Sequence, residues 1–152
     1  MSLRRNVFTP HHLDRLIARV LHVRPDSRRR WGRMTPHQML CHLSDSMRAT
    51  LGEWTRPPHR LPPMRALVRF LAFNLPVRWP HGVRTARELD AERDGTKPVD
   101  FERDRAELIA LLRRIAASDS LPPHPLWGGM SRGMTGRYVW RHTDHHLRQF
   151  GA

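Results

Sequence analysis

Residues 141–150 read RHTDHHLRQF and hold three of the chain's eleven histidines. Imidazoles at positions i and i+4 of an α-helix share a face and can bind one ion. A third from a facing helix completes a set of neutral nitrogen ligands of the kind found in catalytic zinc sites. His142 and His146 have this spacing. With about 100° per residue and Met134 at zero, a helix over 131–150 sets His145 near 20°, Tyr138 near 40°, Gln149 near 60°, His142 near 80°, His146 near 120°, Val139 near 140° and Phe150 near 160°. Asp144, Arg137, Arg148 and Arg141 fall on the opposite side, at roughly 280° to 340°. The histidines therefore lie among residues the helix must bury, where an unpartnered imidazole costs about a few kcal/mol. Buried histidines can also donate to backbone carbonyls or to Asp144, Tyr138 or Gln149. His145, only about 60° from His142, is an alternative ligand.

A fourth imidazole comes from the stretch TPHQMLCHLSDSMRATLGEW, which opens with the helix-start pair Thr35-Pro36 and ends near Gly52. Met39, Leu40, Leu43, Met47 and Leu51 form its apolar stripe. His42 stands at the border of that stripe, about 60° from Met39 and about 100° from Leu43. Asp45 follows three residues later. Cys41 projects about 100° away from His42 and reads as packing. It is the single cysteine, so an intrachain disulfide and a cysteine-based zinc cluster are excluded. A metal would have to be held by histidine and carboxylate.

Three further helices complete the expected framework. The first follows Thr9-Pro10, with Leu13, Leu16, Ile17, Val20 and Leu21 at helical spacing. The proline-rich TRPPHRLPP is a stiff linker before a basic amphipathic helix, MRALVRFLAFNL. A long irregular stretch, 76–98, is expected to fold over the mouth of the bundle. Asp100 begins DFERDRAELIALLRRIAAS, with Leu108, Leu111, Leu112 and Ile115 periodic, acids early and bases late, as the helix dipole favours. The loop DSLPPHPLWGGM leads to the histidine helix. This pattern reads as one all-α domain over 1–152, a helical bundle with proline-rich connections.

The net charge of +13 raises the possibility of nucleic-acid binding. Residues 1–34 hold nine Arg against two Asp, residues 61–87 five Arg and no acid, and residues 88–117 eight acids against six bases. The charge is dispersed rather than gathered into a tail or a basic helix. It predicts salt-sensitive, nonspecific polyanion affinity and argues against a specific nucleic-acid partner. No stretch has the length of a membrane span and the N-terminus lacks a signal-peptide core, so a cytoplasmic protein is expected.

Residues 31–53 and the two C-terminal stretches HPLWGGMSRGM and RHTDHHLRQFG resemble the DinB/YfiT-like superfamily of metalloenzymes, in particular a bacterial subgroup ending in HHxxQFG. The resemblance is faint between those segments. It implies a four-helix bundle of up-down-down-up topology, often a homodimer. It also implies zinc or nickel bound by His42 on the second helix and by the pair His142 and His146. Members of the superfamily include thiol-dependent transferases and a maleylpyruvate isomerase, so the expected function is transfer to a low-molecular-weight thiol, or hydrolysis, of a small-molecule substrate. His145 and Asp45 are candidate catalytic bases. Gln149 and Tyr138 are expected to orient ligands, and His124 to fix its loop by a hydrogen bond. The competing expectation is a non-enzymatic bundle, either an interaction module or a basic nucleic-acid binder using Arg28, Arg29 and Arg30.

Overall fold

The computed structural model describes residues 5–54, 63–75, 78–83 and 85–152. Its helices are α1 (Pro10–His22), α2 (Pro36–Thr50), α3 (Pro63–Asn74), α4 (Phe101–Ala117) and α5 (Arg132–Gln149), with a single 3-10 turn at Arg87–Leu89. There is no strand among the described residues. Residues 55–62 of the expected proline linker lie outside them.

Side chains written into the sequence start three of these helices. Thr35 accepts a hydrogen bond from the Gln38 amide at 3.1 Å, and Gln38 Oε1 accepts from the Thr35 amide at 2.8 Å, a closed capping box. Asp100 caps α4 through the Arg103 amide at 2.7 Å. Ser131 caps α5 through the Met134 amide at 3.3 Å. Thr9 takes the cap position of α1, but its side chain makes no capping bond. Asn6 organises that entry instead, its Oδ1 accepting from the Phe8 amide at 2.9 Å and its carbonyl from the Thr9 amide at 3.1 Å.

The apolar stripes meet in one core. Leu16, Ile17 and Val20 of α1, Met39, Leu40, Leu43 and Met47 of α2, Leu108, Leu111, Leu112 and Ile115 of α4, and Val139 and Leu147 of α5 are all buried in a single cluster. Burial of each large side chain contributes about 1.5–3 kcal/mol, offsetting the entropy of ordering the chain. α1 and α2 each pack on both α4 and α5, while α3 leans on α5. α3 buries Phe73 and leaves Met64, Leu67, Val68 and Phe70 exposed. No helix among the described residues is long and apolar enough to cross a membrane. The consequence for the site is that α2 and α5 face one another across the core.

Candidate metal centre

His42 of α2 and His142 and His146 of α5 each bring a ring nitrogen into one group, all within 4.8 Å of one another. His42 Nε2 and His142 Nε2 are 3.1 Å apart. The His146 ring centroid lies 4.7 Å from that of His42 and 5.0 Å from that of His142. Nitrogens about 2.0–2.1 Å from one tetrahedral ion stand about 3.3–3.4 Å apart, so the spacing of the His42–His142 pair suits a shared ion.

Hydrogen bonds behind the rings fix which nitrogen faces inward. His42 Nδ1 lies 2.8 Å from the Leu89 carbonyl, which can only accept, so Nδ1 carries the proton and Nε2 presents its lone pair. Gln149 does the same for His146. Its Nε2 donates to the Trp31 carbonyl at 2.7 Å, which turns Oε1 toward His146 Nδ1 at 3.0 Å. Gly32 makes room for this amide. It sits at φ +78, and a Cβ there would come within 2.5 Å of Gln149 Nε2.

His142 is held differently. Its Nδ1 is 3.1 Å from Ser46 Oγ, which is 2.9 Å from the Tyr138 hydroxyl. Hydroxyls both donate and accept. With His42 protonated on Nδ1, the contact between the two Nε2 atoms requires the proton of His142 on Nε2 and a bond from Ser46 to Nδ1. Rotation of the Ser46 and Tyr138 hydroxyls permits the other tautomer, with Nδ1 donating to Ser46 and Nε2 free to bind an ion. The first arrangement is satisfied by the protein alone, whereas the second sets two Nε2 lone pairs face to face and is satisfied only by a cation between them.

Burial sets the electrostatics. His42 is 4% exposed and His146 8%. Desolvation lowers the pKa of His42. It holds His142 and His146 well below the ordinary histidine value, with neighbouring imidazoles adding to the effect. All three are therefore neutral near pH 7, the form that binds a cation without first losing a proton.

The other expected site residues surround this group. His145 packs against His146 with centroids 5.1 Å apart, and against Trp31 and Trp79 on its far side. Its Nδ1 is buried without a hydrogen-bond partner, and desolvation, with Arg148 next, lowers its pKa to about 4. The Asp45 carboxylate is occupied, Oδ1 by the Thr96 hydroxyl at 2.6 Å and Arg48 at 3.0 Å, Oδ2 by the Thr96 amide at 2.8 Å. Tyr138 is buried behind His142, with ring centroids 5.5 Å apart. His124 Nδ1 accepts the Leu126 amide at 3.1 Å, the expected loop-fixing bond, while its buried Nε2 has no hydrogen-bond partner.

Cys41 is buried, and its thiol is pushed up to about 12 by desolvation and by the Asp104 and Asp45 carboxylates. It donates to Asp104 Oδ2 at 3.8 Å, and the same oxygen also meets His37 Nε2 at 2.8 Å and the Val99 amide at 3.2 Å. This second group of ligand-type side chains, His37, Cys41 and Asp104, satisfies itself and ties the start of α2 to the start of α4.

Sequence reasoning missed four contributors: Ser46, the Leu89 carbonyl, Trp31 and Trp79. Ser46 lies four residues after His42, hence on the same helical face, and that spacing was the available signal. Trp31 and Trp79 each follow an arginine, in two Arg-Trp dipeptides whose repetition was visible. The Leu89 carbonyl carries no side-chain signal at all.

Helices throughout the described residues, with a three-imidazole group of metal-ligand type between two of them, define a class, helical proteins with a histidine cluster in their core. The family model described as "Protein of unknown function (DUF1569)" matches residues 4–152. The chain belongs to the DUF1569 family. No curated protein and no solved structure matches it.

Proposed function

We propose that the chain is a metal-dependent enzyme of DinB/YfiT-like ancestry, in which His42, His142 and His146 hold one divalent ion, zinc or nickel, for transfer to a low-molecular-weight thiol or hydrolysis of a small molecule. One observation carries this reading. The Leu89 carbonyl and the Gln149 amide fix the Nδ1-protonated tautomers of His42 and His146, which directs their Nε2 lone pairs into the group they share with His142. Any buried imidazole needs a partner for its N–H; what points to an ion here is that the opposite nitrogens of both rings converge with a third imidazole. The packing of α1 and α2 on α4 and α5 supports a four-helix bundle with the site between the second and last helices, and the up-down-down-up course is what the DinB/YfiT resemblance adds.

A divalent ion held by three neutral imidazoles keeps its charge and supplies Lewis acidity to a thiol or water brought against it. The protein supplies the rest. Leu89 and Gln149 hold two ligands in register, and the Ser46–Tyr138 hydroxyl pair adjusts to the proton of the third. Trp31 and Trp79 shield the site from bulk water. His145, neutral and packed between His146 and Trp79, is the group assigned to proton exchange with a substrate. Asp45 serves as a positioning residue, because Thr96 and Arg48 already occupy its oxygens.

Cobalt substitution tests this reading. The visible spectrum of the cobalt-loaded protein should change on titration with a small thiol such as 2-mercaptoethanol. A spectrum indifferent to thiol and to azide would mean a closed, structural ion, and the enzyme reading would fall.

A further inference from the structure

Beside the histidine group the surface opens into a cavity of about 420 Å³, within the span of small-molecule sites at about 300–1,000 Å³. Its walls are unusual in composition. Trp31 and Trp79 supply two indole faces, with His81 stacked on Trp31 at 4.0 Å and 8°. Arg30, Arg78 and Arg148 supply three guanidinium groups, and no carboxylate among the described residues lines the cavity. Arg148 is neutralised in part by Asp144, 3.0 Å from its Nε. Arg30 and Arg78 have no ion pair among the described residues. Gly151, at φ +79, clears a path for Arg30, since a Cβ there would come within 2.9 Å of its Nη2.

Two residues of the cavity wall also pack against the histidine helix. Trp79 borders His142 at 5.9 Å between centroids, and both Trp79 and His81 border His145 at 6.0 Å. A molecule seated there would meet the guanidinium groups and the Trp79 and His81 rings that separate it from the histidine helix. Uncompensated like charges repel one another, and that repulsion is relieved when an anion enters between them. The planar fork of arginine matches the paired oxygens of carboxylate and phosphate, while the Trp79 ring and the stacked Trp31–His81 pair offer apolar contact to a flat body.

We infer that this cavity selects a small molecule bearing a carboxylate or phosphate on a flat, unsaturated or aromatic body and holds it beside the histidine group. The inference rests on the metal-centre reading for what happens to the molecule, and on the cavity alone for its charge. Because Trp31 and Arg30 precede α2 while Arg78, Trp79 and His81 follow α3, selection depends on two loops that the bundle itself does not dictate.

Calorimetric titration with benzoate, phenyl phosphate and the neutral benzyl alcohol tests it, on zinc-loaded and chelator-treated samples of the full chain. Benzoate and phenyl phosphate should each bind at least about tenfold more tightly than benzyl alcohol in both samples. Arg30→Gln and Arg78→Gln should each weaken anion binding about tenfold, whereas Arg113→Gln, exposed on α4, should not. Equal affinity for the three probes, or anion binding that vanishes with zinc and ignores both cavity arginines, overturns the inference. Zinc content measured on the same samples separates the two readings. Bound zinc without anion preference removes this inference alone, and anion preference without zinc removes the metal reading alone.

Discussion

His124 makes the protein's stability fall in mild acid by an amount that can be worked from its surroundings. The ring is 1% exposed, its Nδ1 accepts the Leu126 amide at 3.1 Å, and burial lowers its pKa to about 4. Protonation would put a charge into the core and break the Leu126 bond. The unfolded chain, with a histidine pKa near 6.5, takes up the proton first. The contribution of His124 is therefore complete above about pH 6.5 and is lost as the pH falls toward 4. Integrating between pH 7.5 and 5.0 gives a loss of about 2 kcal/mol from this one side chain. Other buried histidines add to the total, so a matched variant is needed. His124→Asn keeps an oxygen that can accept the amide two residues on, and cannot titrate. Urea denaturation of chelator-treated wild type and His124→Asn at the two pH values should show the variant losing about 2 kcal/mol less than wild type. Equal losses in the two proteins would refute the assignment of a depressed pKa to this ring.

Other predictions test the site and the surface. Gln149→Leu frees both His146 Nδ1 and the Trp31 carbonyl, and competition with a chromogenic chelator should show zinc affinity reduced about 10- to 100-fold. Chelation of wild type should leave far-ultraviolet helicity and a cooperative thermal transition, because the core residues of α1, α2, α4 and α5 cluster without help from an ion; loss of helicity would make the ion structural. Affinity for duplex DNA, measured by anisotropy, should be insensitive to sequence and fall steeply with salt. Tight binding of one sequence at physiological salt would favour a nucleic-acid function.

The helices were legible because their signals are local. The Thr35–Gln38 box, the Asp100 and Ser131 caps and the apolar periodicity of α4 lie within a few residues of the structure they specify. Projection of α5 alone set His142 and His146 toward the core, since that geometry depends only on helical pitch. Thr9 shows the limit of the method. A cap residue followed by proline marks where a helix starts, but Asn6, three residues earlier, makes the side-chain bond. Contacts that cross the chain were not legible. Thr96 reaches Asp45 over fifty-one residues and the Leu89 carbonyl reaches His42 over forty-seven, each through an irregular segment whose path no periodicity encodes. The sequence suggested that this stretch would cover the mouth of the bundle. It could not say which backbone oxygen would meet which imidazole.

The most direct measurement is the metal content of the purified protein and of three single variants, His42→Ala, His142→Ala and His146→Ala, with His11→Ala, an exposed position of α1, as a control. Elemental analysis after dialysis should give one divalent transition ion per chain in wild type and in His11→Ala, and almost none in the three core variants. Full occupancy in His146→Ala, or a wild-type protein that takes up no ion when zinc or nickel is supplied, would contradict the account.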